Sequence, residues 1–169
     1  MGPDRENSKN AITVRNVDEN DYAAVIRLMD LMNRLHYEAV PHLMKPNKIP
    51  FFTQQGFANI LADAKQRLIV ACDGSYVCGY ASLRLIDPQH ERTFPFIDSK
   101  RVHVDEIITD VGYRNCGVGK ALMATAEAWT REVGATKMTL NVFNFNTPAM
   151  KFYDNLGFQF LTTAMEKLV

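Results

Sequence analysis

Apolar residues along this chain follow two rhythms, one helical and one alternating. Tyr22, Val25, Met29, Met32 and Leu35 recur at helical spacing behind Asp18, a residue suited to an N-cap, so the pattern predicts a helix reaching about His36. Ile12 and Val14 alternate with polar neighbours as a short edge strand does. Three prolines from Pro41 to Pro50 interrupt regular structure before a second predicted helix near Phe52–Asp63. Arg67–Cys72 reads as a strand, Asp73–Gly74 as a tight turn, and Tyr76–Ile86 as the antiparallel partner. Residues 87–100 are polar and contain two prolines, which predicts a long loop of the kind that serves as a lid or dimer contact. A strand over Val102–Thr109 follows, then a helix over Gly117–Val133 with Val118, Leu122, Trp129 and Val133 inward and Gly134 closing it. Lys137–Phe143 alternates again, with Met138, Leu140 and Val142 on one side, and Asn146–Leu156 is a last helix. Beyond Gly157 there is room for one strand or a tightly folded pair. This order gives an α/β fold, a mixed sheet with helices on both faces.

Composition narrows the partners. With 169 residues and 47% hydrophobic content, residues 11–169 are expected to form one domain with its own core, behind a polar lead-in over residues 1–10 that is expected to be disordered. Nineteen basic side chains balance nineteen acidic ones, so no global field draws the chain to nucleic acid or anionic membranes, and a small molecule is the expected partner. The three cysteines, Cys72, Cys78 and Cys116, form no C-x-x-C pair; an odd number of unpaired thiols suits a reducing cytoplasm better than a disulfide framework or a metal site. No apolar run approaches the roughly 20 residues needed to span a bilayer. A sheet edge left open near the C-terminus would suit a homodimer.

The segment Arg114-Asn115-Cys116-Gly117-Val118-Gly119-Lys120 lies where the apolar run Val102–Val111 gives way to the long helix. Glycines at 117 and 119 remove the Cβ atoms that would block a phosphate. The first helical turn supplies N–H groups without internal partners and a positive dipole end, and Arg114 and Lys120 add full charges. A glycine pair before a helix also serves plain backbone geometry, so spacing must discriminate. A Walker loop needs glycine at position 114 and Ser or Thr at 121, where Arg114 and Ala121 stand; the dinucleotide fingerprint needs glycine at 122, where Leu122 stands.

What the segment matches is Arg/Gln-x-x-Gly-x-Gly/Ala, and downstream Asn146-Thr147-Pro148-Ala149-Met150-Lys151-Phe152-Tyr153-Asp154-Asn155-Leu156-Gly157-Phe158 matches Asn-x-x-Ala-x-x-Phe-Tyr-x-x-x-Gly-Phe. In both motifs, and in their order, the chain resembles the GNAT superfamily of N-acetyltransferases, from about Ile12 to its end. The resemblance implies acetyl-CoA as cosubstrate. Main-chain groups of Ile107, Ile108 and Thr109 would run beside the pantetheine arm, residues Asn115, Cys116, Gly117, Val118, Gly119 and Lys120 would wrap the pyrophosphate with Arg114 at their head, and Asn146 would bond the pantetheine amides. The loop after the first helix would help to shape the acceptor pocket.

Direct acetyl transfer needs a route for the amine's proton and a proton for the departing thiolate. Tyr153 holds the family's general-acid position; the competing reading is a ring packed on the sheet with its hydroxyl at the surface. Asp105 and Glu106 break an apolar strand, and alternation sends them to opposite faces, leaving Glu106 on the face of Val104 and Ile108 as a partly desolvated base. The competing reading makes Glu106 a salt-bridged structural carboxylate; Asp105 then orients a cationic substrate, and a bulge would exchange the two. His36, Tyr37 and Glu38 close the first helix near the expected acceptor opening, although a histidine there also serves as a dipole partner or packed side chain. Cys116 sits where a thiol pKa falls, but no suitably spaced base accompanies it as a nucleophile. The expected acceptor is the primary amine of a small cationic metabolite. A non-catalytic acyl-CoA sensor and a protein or peptide N-acetyltransferase are the alternatives.

Overall fold

Two apolar clusters, one on each face of a five-stranded sheet, organise the chain in a computed structural model that describes residues 11–45, 53–88 and 99–167. The strands are β1 (Thr13–Asn16), β2 (Gln66–Asp73), β3 (Tyr76–Ile86), β4 (Arg101–Thr109) and β5 (Lys137–Leu140), in that spatial order. The first three pairings are antiparallel and β4–β5 is parallel, which makes the sheet mixed. Helices α1 (Tyr22–Ala39) and α2 (Gln54–Ala62) cover one face; α3 (Val118–Glu132) and the aromatic side of α4 (Thr147–Asn155) cover the other.

Local chemistry sets the boundaries. Asp18 accepts from the Asn20 amide, and Asp21 answers by accepting from the Asp18 amide, but this box caps a 3₁₀ turn at Glu19–Asp21 before α1 proper begins. The helix runs three residues past His36 because nothing in Tyr37-Glu38-Ala39 breaks it. Thr53 caps α2; the expected start at Phe52 lies outside the described residues, as do 46–50 and most of the predicted lid at 89–98. Gly134, at φ +69°, ends α3 with the Ala135 amide donating to the Thr130 carbonyl at 3.0 Å, the six-to-one bond of a Schellman turn.

Two strand expectations fail. The alternation seen through Phe143 is not matched by pairing, since β5 stops at Leu140, opposite Val104. No strand forms among residues 158–167; that tail leaves Phe160, Leu161 and Met165 exposed.

Gly79 brings α3 down onto the sheet at the end that matters. A Cβ there would stand 2.5 Å from Val118 Cγ1, 3.2 Å from Leu122 Cδ1 and 3.3 Å from the Ile108 carbonyl oxygen, so its absence is what admits the first turn of α3 against β3 and β4. Val118 and Leu122, 1% and 0% exposed, fill the space. Gly79→Val should therefore push α3 off the sheet and cost about 2 kcal/mol, seen as a melting temperature lower by roughly 4–8 °C; an unchanged melting temperature would contradict this packing.

Candidate active site

The ladder between β3 and β4 slips by one residue. Ser82 faces Glu106 and Leu83 faces Val104, leaving Asp105 as the extra residue of a bulge. Before the bulge Val102 and Val104 point into the α3-side cluster and His103 points to the α1 side; after it Ile107 packs on the α3 side and Ile108 lies in the α1-side cluster. Alternation through Asp105 is thereby reset. Asp105 and Glu106 share the α1 face rather than taking opposite faces, and Glu106 keeps company with Ile108 and Tyr80, not with Val104.

The two carboxylates fare differently on that face. Asp105 is exposed and held by a two-pronged ion pair with Arg84, Nη2 to Oδ1 at 2.8 Å and Nε to Oδ2 at 3.1 Å, with His103 Nε2 at 4.0 Å. Its charge is already matched by Arg84. Glu106 has no ion-pair partner among the described residues, and its Oε2 is sealed from solvent without a hydrogen-bond partner among them. Burial, then the nearby Asp105 charge, pushes its pKa up to about 7, with the Tyr80 hydroxyl pulling the other way. A salt-bridged structural carboxylate is thus the description of Asp105 rather than of Glu106.

Past Val104 and Leu140 the sheet opens between its two parallel strands. β4 continues through Glu106, Ile107, Ile108 and Thr109 while the chain after Leu140 leaves as a loop, so among the described residues this side of β4 has no strand beside it. At the far end of that stretch lies the glycine segment. Asn115 takes φ +61° and Gly117 φ +83°, a pair of left-handed residues that turns the chain into α3, and Gly117 is the N-cap. No atom would meet a Cβ on Gly117 within 4 Å, so its requirement is conformational; a Cβ on Gly119 would stand 3.2 Å from Phe152 Cζ, so its requirement is close approach to α4. Arg114, Asn115, Cys116, Gly117 and Lys120 are exposed around this concave turn, whereas Val118 turns its side chain into the core and leaves only its main chain there.

A network unforeseen from the sequence fastens the turn. Asp110 accepts from Arg27 Nη1 and from the Tyr76 hydroxyl, both at 2.6 Å, and from the Gly112 amide at 3.3 Å; burial would raise its pKa, but these bonds outweigh burial and hold it below the ordinary carboxylate range. The Tyr113 hydroxyl donates to Asp73 at 3.0 Å, and its ring stacks on Tyr76. Only the acidic residue ending an apolar strand hinted at this, and acidic strand ends are too common to read.

Asn146 caps α4, its Oδ1 accepting from the Ala149 amide at 3.3 Å, so its amide nitrogen is the end left for a ligand. Tyr153 packs between Phe152 and Phe158, and burial pushes its pKa up to about 12, which keeps the hydroxyl protonated at neutral pH. Ring packing and availability as an acid are therefore compatible. His36 meets Phe143 and Phe145, with ring centroids 5.2 and 5.9 Å away, and burial lowers its pKa and leaves it neutral. The three rings join the end of α1 to the loop before Asn146. Glu38, about 200° round the helix from His36, is exposed and does not join this group, and among the described residues no ring contact brings Tyr37 to it. Phe143 stood at the end of the expected strand Lys137–Phe143 and Phe145 in the short link before Asn146, and no local pattern marks either as a partner of His36.

A mixed sheet that parts beside a glycine turn and helix N-terminus defines the class of fold found in N-acetyltransferases. The family model for the acetyltransferase (GNAT) family matches residues 25–158, and the chain belongs to that family. A stretch of 62 residues, 37% of this chain and 33% of the relative, is 37% identical to streptothricin acetyltransferase of Streptomyces lavendulae, so the match spans about a third of that protein. A tetramutant of the BH1408 protein from Bacillus halodurans superposes with a TM-score of 0.84 at 20% identity, over 93% of this chain and 99% of the other. An aminoglycoside acetyltransferase from an uncultured soil metagenomic sample gives 0.69 at 18% identity, over 94% and 96%. At those identities the structural likenesses establish the fold. No described helix is long and apolar enough to cross a membrane.

The raised pKa of Glu106 carries a stability consequence. Its contribution is intact below the unfolded value of 4.5 and is lost as pH rises through about 7, because the folded state must then hold a charged, sealed carboxylate. Glu106→Gln should melt close to the parent at pH 5 and several degrees above it at pH 8; equal melting temperatures at both pH values would contradict the burial of this charge.

Proposed function

We propose that this protein transfers an acetyl group from acetyl-CoA directly to the primary amine of a small molecule. The observation that carries the reading is the parting of β4 from β5 with a protonated tyrosine, a high-pKa carboxylate and a glycine-lined helix N-terminus around it. The fit of coenzyme A rests on shape and donors. The left-handed turn at Gly117 leaves open space where a Cβ would stand, the first amides of α3 lack helical partners, and along Ile107, Ile108 and Thr109 the main-chain groups of Ile107 and Thr109 face the parted side for an amide-bearing arm, those of Ile108 being turned to β3 opposite Tyr80.

In this reading residues Arg114 to Lys120 bind the pyrophosphate, chiefly through main-chain amides, and the Asn146 amide nitrogen meets the pantetheine arm. The bound thioester supplies an electrophilic carbonyl and a thiolate leaving group. Glu106 receives the proton that the amine sheds as its C–N bond forms, directly or through one water, and a pKa near 7 matches that task at neutral pH. Tyr153 returns a proton to sulfur, its own pKa ensuring that the proton is present to give. Cys116 has no part in the chemistry beyond its place in the turn.

The acceptor class draws on the names of the relatives, a streptothricin and an aminoglycoside acetyltransferase, both acting on antibiotics that carry amines. Arg84 pairs with Asp105, so of the two carboxylates on this stretch of β4 Glu106 is the one left to attract a cationic acceptor, and the neutral His36–Phe143–Phe145 wall offers it apolar contact.

Release of free CoA thiol should appear when acetyl-CoA is mixed with some member of a panel spanning polyamines, aminoglycosides, streptothricin, arylalkylamines and short peptides. Tyr153→Phe should lower kcat about 100-fold, the low end of general acid–base effects, while calorimetric affinity for CoA stays within twofold. Tight CoA binding with no thiol release for any amine would replace the enzyme with a sensor, and release with peptides alone would replace the small acceptor.

A further inference from the structure

Three sealed polar atoms make no hydrogen bond of good geometry among the described residues: Glu106 Oε2, Tyr80 Oη and Asn33 Nδ2, although Tyr80 already lies near enough to Glu106 and Ser82 to act on their electrostatics. A sealed, unsatisfied group costs about 1–3 kcal/mol, so three in a chain of this size call for an explanation. Their placement supplies one. In the β3–β4 ladder Tyr80 stands opposite Ile108 and Ser82 opposite Glu106, so Tyr80 and Glu106 are diagonal neighbours on the same face. Asn33 lies on the buried stripe of α1, which packs over β3 and β4. Two of the three can donate and the third is a carboxylate oxygen that can only accept when charged.

Tyr80 is otherwise hard to account for. It is the largest side chain buried with under 2% exposure among the described residues, yet phenylalanine would fill the same volume without sinking a hydroxyl into the core. Burial first, and then the Glu106 charge, drives its pKa upward against the pull of Ser82, so the hydroxyl keeps its proton at neutral pH and donates toward Glu106 when that carboxyl is charged.

We infer that Tyr80 is a positioning residue for Glu106: its hydroxyl donates to the carboxylate across the β3–β4 ladder once that group is charged, and holds it toward the space where β4 and β5 part. The inference rests on Glu106 being the base. Tyr80 touches neither donor nor acceptor. The amine's proton passes to Glu106 and then to solvent, while Tyr80 keeps its own throughout. The charged and titratable groups acting on Glu106 are Asp105 on its own strand, matched by Arg84 and flanked by His103, and Tyr80 on β3. From α1 come Asn33, which does not titrate, and at the helix end His36, which is neutral.

The test compares the parent, Tyr80→Phe and Glu106→Gln as full chains, using acetyl-CoA and whichever amine releases thiol. The parent's kcat/KM should fall on an acidic limb with midpoint near 7. Tyr80→Phe should move that midpoint up by about one pH unit, a tenfold change in proton affinity, and lower kcat at pH 7 by about fivefold with KM for acetyl-CoA unchanged. Glu106→Gln should lose the limb. A limb surviving in Glu106→Gln would remove Glu106 as base, whereas a limb lost there but superimposable in Tyr80→Phe and the parent would overturn only the role of Tyr80. Carbon-detected NMR titration of the Glu106 carboxyl, without substrate, gives a readout independent of turnover: an upward shift in Tyr80→Phe supports the inference, and coincident curves refute it.

Discussion

The parting of β4 from β5 after Val104 and Leu140 is the constraint on which the remaining features depend. A parallel pair exposes unsatisfied N–H and C=O groups wherever it separates, and such groups inside a fold need a partner. The chain arranges for one end of the gap to be walled by α1 and the rings of His36, Phe143 and Phe145, and for the other to be closed by the glycine turn leading into α3. Gly79 fixes how near α3 can come, and the Asp110 network fixes how the turn enters it. The shape of the gap and the packing of α3 are therefore set by the same few contacts.

The bulge at Asp105 does the complementary work on acid–base chemistry. By resetting alternation it puts two carboxylates on one face, and by pairing only the exposed one with Arg84 it leaves the buried one to feel both desolvation and a neighbouring charge. Shared location and divided solvation are what separate two adjacent carboxylic acids whose ordinary pKa values lie close together. Tyr80 fits the same scheme as the donor set against the buried acid.

Much of this was legible in the residues. β3 was bounded by its turn and its alternation, and the Gly117-x-Gly119 segment identified itself by spacing and by the failure of competing phosphate motifs at Arg114, Ala121 and Leu122. The burial of Glu106 was also anticipated, although for a faulty reason. A bulge adds one residue to one strand and leaves no mark on the hydrophobic pattern, so placing Asp105 and Glu106 on opposite faces was the natural error. The end of β5 was hidden for a related cause: Val142 continues the alternation, but whether a strand has a neighbour is decided by register three-dimensionally distant in sequence, between 101–104 and 137–140. The partners of Asp110 and Asp105 come from α1 and β3, and no local pattern announces a pairing across such separations.

Amide hydrogen exchange followed by NMR, with and without acetyl-CoA, reads out whether the parted strands hold a ligand. If the opened edge of β4 and the turn before α3 hold the ligand, amides within Glu106–Thr109 and Asn115–Lys120 should slow by tenfold or more on its addition while those of β1 and β2 stay as they were. Uniform rates in both segments at saturating ligand, or protection confined to the far edge of the sheet, would contradict it.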